Sequence, residues 1–298
     1  MRSVTHVLAR LTALGAAAAL AAACGSDNNP SGPAAVASIA LSPANDTVTT
    51  GATAQFAATP KDASGNEVSG QTITWTSSDT DAAPVSASGL ISAMLPGTAT
   101  VTAAVGSITS TAQLTILPSA AIQLAEGQTV GDSAFASGDT PNGGQGSPVG
   151  IVPCGADASA PAEHIHSHLT LIANGQQVAI PLAIGVMNPQ NVTNDAGTVV
   201  LAGTCFYWIH THDRTGIIHV EPTEAGHTFT LGDFFDIWGE PLGSDGVAGY
   251  SGTVTTYVDG HRFTGDPRTI VLAEKQQITI EVGTPLVAPP IYAYPNNY

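Results

Sequence analysis

Glu163-His164-Ile165-His166-Ser167-His168-Leu169-Thr170-Leu171-Ile172-Ala173-Asn174-Gly175-Gln176-Gln177-Val178 is the stretch on which the reading of this chain turns. Histidines at 164, 166 and 168 alternate with Ile165, Ser167 and Leu169, and a period of two is the signature of a β-strand. Asn174-Gly175 then predicts a two-residue type I′ hairpin turn. That turn pairs Ala173 with Gln176, Leu171 with Val178, Leu169 with Ile180 and Ser167 with Leu182. One face becomes continuous apolar core, and the other carries His164, His166 and His168, about 6–7 Å apart along the strand.

A second histidine run has the same period. In Phe206–Glu221, Asp213-Arg214-Thr215-Gly216 reads as a four-residue turn between two strands. It places His212 opposite Ile217, Thr211 opposite Ile218 and His210 opposite His219, with Trp208 and Glu221 as the next pair. His210, His212 and His219 then share a face, an arrangement that supplies three imidazoles to one tetrahedral ion. Asp213 and Glu221 stand near enough to act as a fourth ligand or as an acceptor for an imidazole N–H. Neutral imidazoles suit zinc or copper(II). Eight of the nine histidines lie between His164 and His261, and the chain has only seven lysines and arginines.

Cysteine usage fits an oxidising compartment. Arg2 and Arg10 precede an apolar run, Leu11 to Ala23, too short for a membrane span and followed by a polar Gly/Ser/Asn/Pro stretch. With Cys24 used as below, Cys154 and Cys205 remain as an even pair, expected as a disulfide that ties the two histidine strands together. With that tie, the two histidine faces can meet around one or two metals. The full chain carries 23 acidic and 7 basic residues, a net charge of −16. Loss of the leader, which holds two arginines and no acid, takes this to −18. Such a surface repels nucleic acid and anionic lipid and attracts cations.

Ala21-Ala22-Ala23-Cys24 resembles the bacterial lipobox, with Ala21 where leucine is usual. The resemblance implies lipidation at Cys24, loss of residues 1–23 and a membrane anchor through the N-terminal lipid. Gly25 is unlike the aspartate associated with inner-membrane retention, so an outer-membrane or cell-surface location is expected.

Residues 36–117 show strand-sized runs (Thr53–Ala58, Thr72–Thr76, Thr98–Ala104, Ser110–Leu117) punctuated by Gly, Asn, Asp and Pro, the rhythm of a β-sandwich. Val36–Pro43, Ile73-Thr74-Trp75-Thr76-Ser77-Ser78-Asp79, Ser88-Gly89-Leu90-Ile91 and Pro96-Gly97-Thr98-Ala99-Thr100-Val101 resemble the bacterial Ig-like group 2 domain in order and extent. The resemblance implies a small sandwich with a buried tryptophan, here Trp75. The roles it implies are a stiff spacer or a binding module for a cell-surface protein or glycan.

The expected organisation is therefore all-β. A signal peptide (1–23) and flexible linker (24–35) lead into the Ig-like sandwich (36–117). A linker (118–122) follows, then a second β-rich domain, sandwich or barrel-like, over 123–298. The exception is a short helix over Leu231–Trp238, where Phe234, Phe235 and Trp238 share a face. Gly138–Gly150 reads as a mobile loop, and Pro285–Tyr298 as an extended tail docked on the domain. About 154–298 resembles an uncharacterised secreted histidine-rich domain, to which no activity attaches. No glutamate follows the first histidine cluster as in cupins, and there is no HExxH helix. Tyr207–His212 with Gly216–Ile218 is similar to a histidine strand of multicopper oxidases, without that family's remaining copper elements.

The leading expectation is an extracytoplasmic, lipid-anchored protein of the cell envelope. In it, His164, His166, His168, His210, His212 and His219 bind zinc or copper. Two alternatives remain open: a metal-dependent hydrolase or oxidase with Glu221 or Asp213 as base, and an adhesion or structural protein with merely polar histidines.

Overall fold

The computed structural model describes residues 35–135, 138, 140–156, 160–296 and 298. Cys24 and the leader lie outside the described residues. The described part is strand-rich, with one α-helix of eight residues and a short 3₁₀ turn, Pro267–Thr269. No described helix is long and apolar enough to cross a membrane.

Eight strands make up residues 38–117. Asn45–Thr49 runs parallel to Ile108–Leu117, which pairs in turn with Gly97–Val105 and then Thr74–Ser77. Ser38–Ser42 pairs with Ala57–Lys61, and Thr53–Gln55 with Leu90–Ser92. Along Gly97–Val105, Ala99, Val101 and Ala103 point inward and are buried. They meet Phe56, Ile91, Leu114 and Ile116 in one apolar cluster. The buried centre is Phe56, whereas Trp75 is only half-buried and packs on the cluster's flank. Gly89, at φ +80°, lies beneath it: a Cβ there would meet the Phe56 carbonyl oxygen at 2.5 Å and the Trp75 ring at 2.8 Å.

The remainder is built on a sheet whose strands run, edge to edge, Ile209–His210, Ile217–Val220, Ile165–Ala173, Gln277–Val282, Val254–Val258 and His261–Phe263. The Asn174-Gly175 turn forms as read, with φ of 51° and 78°, and pairs Leu171 with Val178 and Ala173 with Gln176. The hairpin then stops. Its second strand is only Gln176–Val178, and the expected pairs Leu169–Ile180 and Ser167–Leu182 do not form. The Ile217–Val220 strand occupies that edge instead, pairing Ile165 with Val220, His166 with His219 and His168 with Ile217.

One face of this sheet, through Leu169, Leu171, Ile218, Val220, Ile278 and Ile280, packs on the helix Leu231–Trp238 in the main core. Thr230 caps the helix in a reciprocal pair with Asp233, and Gly239 closes it in the left-handed conformation. Residues 140–150 do not stand free: Gly144 N–H donates to the Ile237 carbonyl at 3.2 Å, and Thr140 to that of Trp238.

The opposite face carries the histidines. The tail covers part of it, with Tyr292 and Tyr298 packing near Ile217 and Leu124. Tyr292–Ala293 pairs in parallel with Ile122–Gln123, so ladder pairing already begins inside the expected linker. The two parts of the chain touch through Ala82, Leu95 and Tyr257 and through an ion pair of Arg262 with Asp81.

Candidate metal centre

The histidine motifs meet because their strands are neighbours in one sheet. His210 is paired with His219, and His219 with His166, so three imidazoles lie in one row across three strands. Ile165 is opposite Val220, so His164 and Glu221 follow beyond that pair at the edge of the row, where the Glu221 N–H donates to the Trp208 carbonyl at 2.7 Å. Side chains of directly opposed residues on one face lie about 4.5–5.5 Å apart at Cβ. The ring centroids lie 5.5 Å apart for His210–His219 and 4.7 Å for His166–His219, with His212 4.6 Å from His219 and His164 4.5 Å from His166.

Hydrogen bonds fix the tautomers. His210 Nδ1 lies 2.8 Å from the Tyr207 carbonyl oxygen, and His212 Nδ1 lies 2.8 Å from that of Val200. A carbonyl only accepts, so both Nδ1 atoms carry the proton. Their Nε2 atoms then present lone pairs to each other at 3.0 Å. Glu221 Oε1 receives His219 Nδ1 at 3.2 Å and His164 Nε2 at 2.8 Å. His219 is thereby turned to offer Nε2, the carboxylate–histidine orientation that raises ligand basicity. One ligand atom from each of His210, His212, His219 and Glu221 lies within 4.8 Å of the others. The same holds for His164, His166 and His219.

Burial favours the neutral form of His210, His219 and His166. His210 and His219 are held well below the ordinary imidazole range, first by burial and then by neighbouring histidines. His166 is lowered to about 4 by burial and by His164. Burial disfavours a second proton on His210, and its Nε2 faces that of His212.

Two expected ligands stand apart. Ile217 occupies the position opposite His168, and His168 is fully enclosed, its Nε2 donating to the Thr215 carbonyl at 2.8 Å and its ring 4.4 Å from Tyr292. Asp213 is turned away into its own loop, accepting the N–H groups of Gly127 at 2.7 Å and Thr215 at 2.9 Å together with the Thr215 hydroxyl. Burial raises its pKa against those hydrogen bonds. Neither side chain reaches the four-residue group, and each has a structural partner instead.

The disulfide Cys154–Cys205 forms, with the Cα atoms 5.5 Å apart. It does not tie the histidine strands to each other. It lies in a separate small sheet, where Cys154–Gly155 pairs with Cys205–Tyr207, and it anchors the segment that enters His210. The histidine faces are side by side in one sheet rather than opposed across a bridge.

The sequence reading missed three contributors: the carbonyls of Val200 and Tyr207, and Tyr298, whose ring lies 4.7 Å from His166 and 5.3 Å from His219. Main-chain acceptors leave no trace in residue identity; the tyrosine-rich tail was the available signal for the third. A cavity of about 270 Å³ opens onto the centre, walled by Val199, Leu201, His164, His212 and Tyr298. His227 and His261 lie elsewhere, beside Trp208 and on the edge strand His261–Phe263.

Residues 35–116 match the family model for the bacterial Ig-like domain (group 2). Domains 4 and 5 of the S-layer protein SbsC are similar at 26% identity, over 28% of this chain and 53% of that one, with a TM-score of 0.26. The chain thus spans about half the length of that structure. The adhesin InvE of Yersinia pseudotuberculosis is similar at 19% identity over 63% of this chain and 52% of its own, with a TM-score of 0.23. A GH10 xylanase with a bacterial Ig-like domain, from termite gut, follows at 16% identity, 55% and 35% coverage and a TM-score of 0.19. No curated protein matches the chain.

Proposed function

We propose that the part of the chain after the Ig-like domain is a metal-binding module of the cell envelope, holding zinc or copper(II) on His210, His212 and His219. The observation that carries this reading is the pair of facing Nε2 lone pairs, 3.0 Å apart, with both Nδ1 protons committed to main-chain carbonyls. Two imidazoles on one tetrahedral ion have their nitrogens roughly 3.3 Å apart, given metal–nitrogen bonds of about 2.0–2.1 Å. The pair is thus nearly at ligand spacing before any ion arrives. Glu221 orients His219 through Nδ1 and belongs to the same group of converging ligand atoms.

The disulfide supports an oxidising, extracytoplasmic setting. In this reading the Ig-like domain is a spacer, with a lipid at Cys24 as anchor. A cell-surface protein or glycan is a possible further partner of the Ig-like part.

The cavity beside the centre favours a second reading, a metal-dependent hydrolase or oxidase. An ion on three histidines keeps a position open, and a bound water there is acidified towards about pH 7. Glu221 would be the base.

Thermal denaturation of the chelator-stripped chain tests the binding reading. An ion at 100 times its Kd stabilises the fold by about 2.7 kcal/mol. Zinc or copper(II) should raise the Tm of the native sequence by clearly more than that of His210→Ala. An unchanged Tm with both ions would remove the proposal.

A further inference from the structure

We infer that the centre takes two metal ions, the second held by His164, His166 and the edge of His219 turned towards Glu221. This inference rests on the first site and extends it. Two observations carry it. His219 belongs to both groups of converging ligand atoms, one with His210, His212 and Glu221, the other with His164 and His166. Its Nδ1 is also placed beside the second group: it lies 3.2 Å from Glu221 Oε1, and that same oxygen lies 2.8 Å from His164 Nε2.

An imidazole can ligate on both sides only when it has lost both protons. With Nε2 serving the first ion, Nδ1 is the atom left for the second, and the strand register already points it at the Glu221–His164 pair. With a second ion bound there, Nδ1 would give up to solvent the proton it now shares with Glu221, and His164, whose Nε2 proton is held by the same oxygen, would bind through its own Nδ1. Glu221 would then stand beside the second ion and balance part of its charge. The two sites differ in access. His210 is 1% exposed, whereas the His164 side chain is 51% exposed at the mouth of the cavity. The second ion is therefore expected to enter last and leave first.

His168 is the internal control. It lies on the same strand and face as His164 and His166 but is committed to the Thr215 carbonyl, so the second site ends at His166.

Copper(II) titration of the full, chelator-stripped chain followed by electron paramagnetic resonance tests the inference. The expected result is two equivalents per chain, with the signal growing over the first and losing intensity as the second fills, because a shared imidazolate couples the spins. His164→Asn alters a half-exposed side chain and leaves the core intact. It should weaken the second equivalent more than about 10-fold and the first, which it reaches only through Glu221, by far less. Saturation at one equivalent, identical in native sequence and His164→Asn, would overturn the second site and spare the first. Failure to bind any copper would overturn both.

Discussion

His166 stands directly opposite His219 in an antiparallel strand pair, with their rings 4.7 Å apart. This one register joins two histidine motifs that are separate in the chain, because the strand that carries His219 also pairs on its other side with His210. The metal centre is thus a property of strand order. A slip of one residue along the Ile165–Ala173 strand would send His164 and His166 into the apolar core and break the row.

The first prediction separates ligand from scaffold. His212→Ala should weaken zinc binding by more than the roughly 10–100-fold typical of losing an outer-sphere partner. His168→Ala should leave the affinity within a few-fold while lowering stability, since His168 is buried against Tyr292 and bonded to Thr215. Competition against a chromophoric chelator measures both. Equal losses in the two variants would contradict the assignment.

The disulfide should matter to the fold more than to the ion. Cys154 and Cys205 are 51 residues apart and lie outside the histidine sheet. A loop of this length corresponds to about 4 kcal/mol in the chain-entropy model. Replacing both cysteines by alanine should lower unfolding stability on that scale, read by denaturant titration, and change zinc affinity far less than His212→Ala does. The reverse pattern would mean that the bridge shapes the site directly.

Glu281 gives the fold a pH dependence away from the metal. Its side chain is enclosed on the tail-covered face, with one oxygen accepting the Val287 N–H at 2.9 Å and the other without a partner. Burial raises its pKa to about 7, above the ordinary 4.5. A folded pKa above the unfolded one means that folding favours the protonated form. The contribution is then complete below about pH 4.5 and is lost as pH rises through 7. Glu281→Gln keeps an acceptor for Val287 and should raise stability at pH 8, by on the order of 2–3 kcal/mol, while removing that part of the slope. Parallel stability curves for the two proteins from pH 4 to pH 8 would contradict this.

Gly89 should tolerate no side chain. Its φ is +80°, and a Cβ would press on the Phe56 carbonyl and the Trp75 ring. Gly89→Ala should destabilise the Ig-like part by roughly 1–3 kcal/mol or more, through backbone strain and the clash together. A loss below 0.5 kcal/mol in tryptophan-monitored unfolding would show that the neighbourhood yields.

What was legible in the sequence was local. The Asn174-Gly175 turn, the His210–His219 pair and the helix Leu231–Trp238 follow from short-range pattern and appear as read, whereas the pairs His212–Ile217 and Thr211–Ile218 expected next to the 213–216 turn do not form. The Ig-like segment was legible too, because its motifs recur in order along the chain; the depth of Trp75 was not. What could not be read was long-range. Nothing near Ser167 says that Ile218 rather than Leu182 will be its neighbour. That substitution brings the two motifs into one sheet and, through Ile217, shuts His168 out. The carbonyl partners of His210 and His212 belong to segments whose side chains carry no trace of the role. The tyrosines of the tail were visible, but their place over the histidines depends on a parallel pairing with Ile122–Gln123.

Calorimetric titration of the full, chelator-stripped chain with zinc, run beside the double variant His210→Ala/His212→Ala, tests the central claim most directly. Saturable binding with a Kd at or below about 1 μM, roughly −8 kcal/mol, whose tightest equivalent is lost in the variant is the predicted result. Weak, unsaturable binding that is the same in both proteins would contradict the account, leaving the facing imidazoles as an ordinary part of a buried polar face.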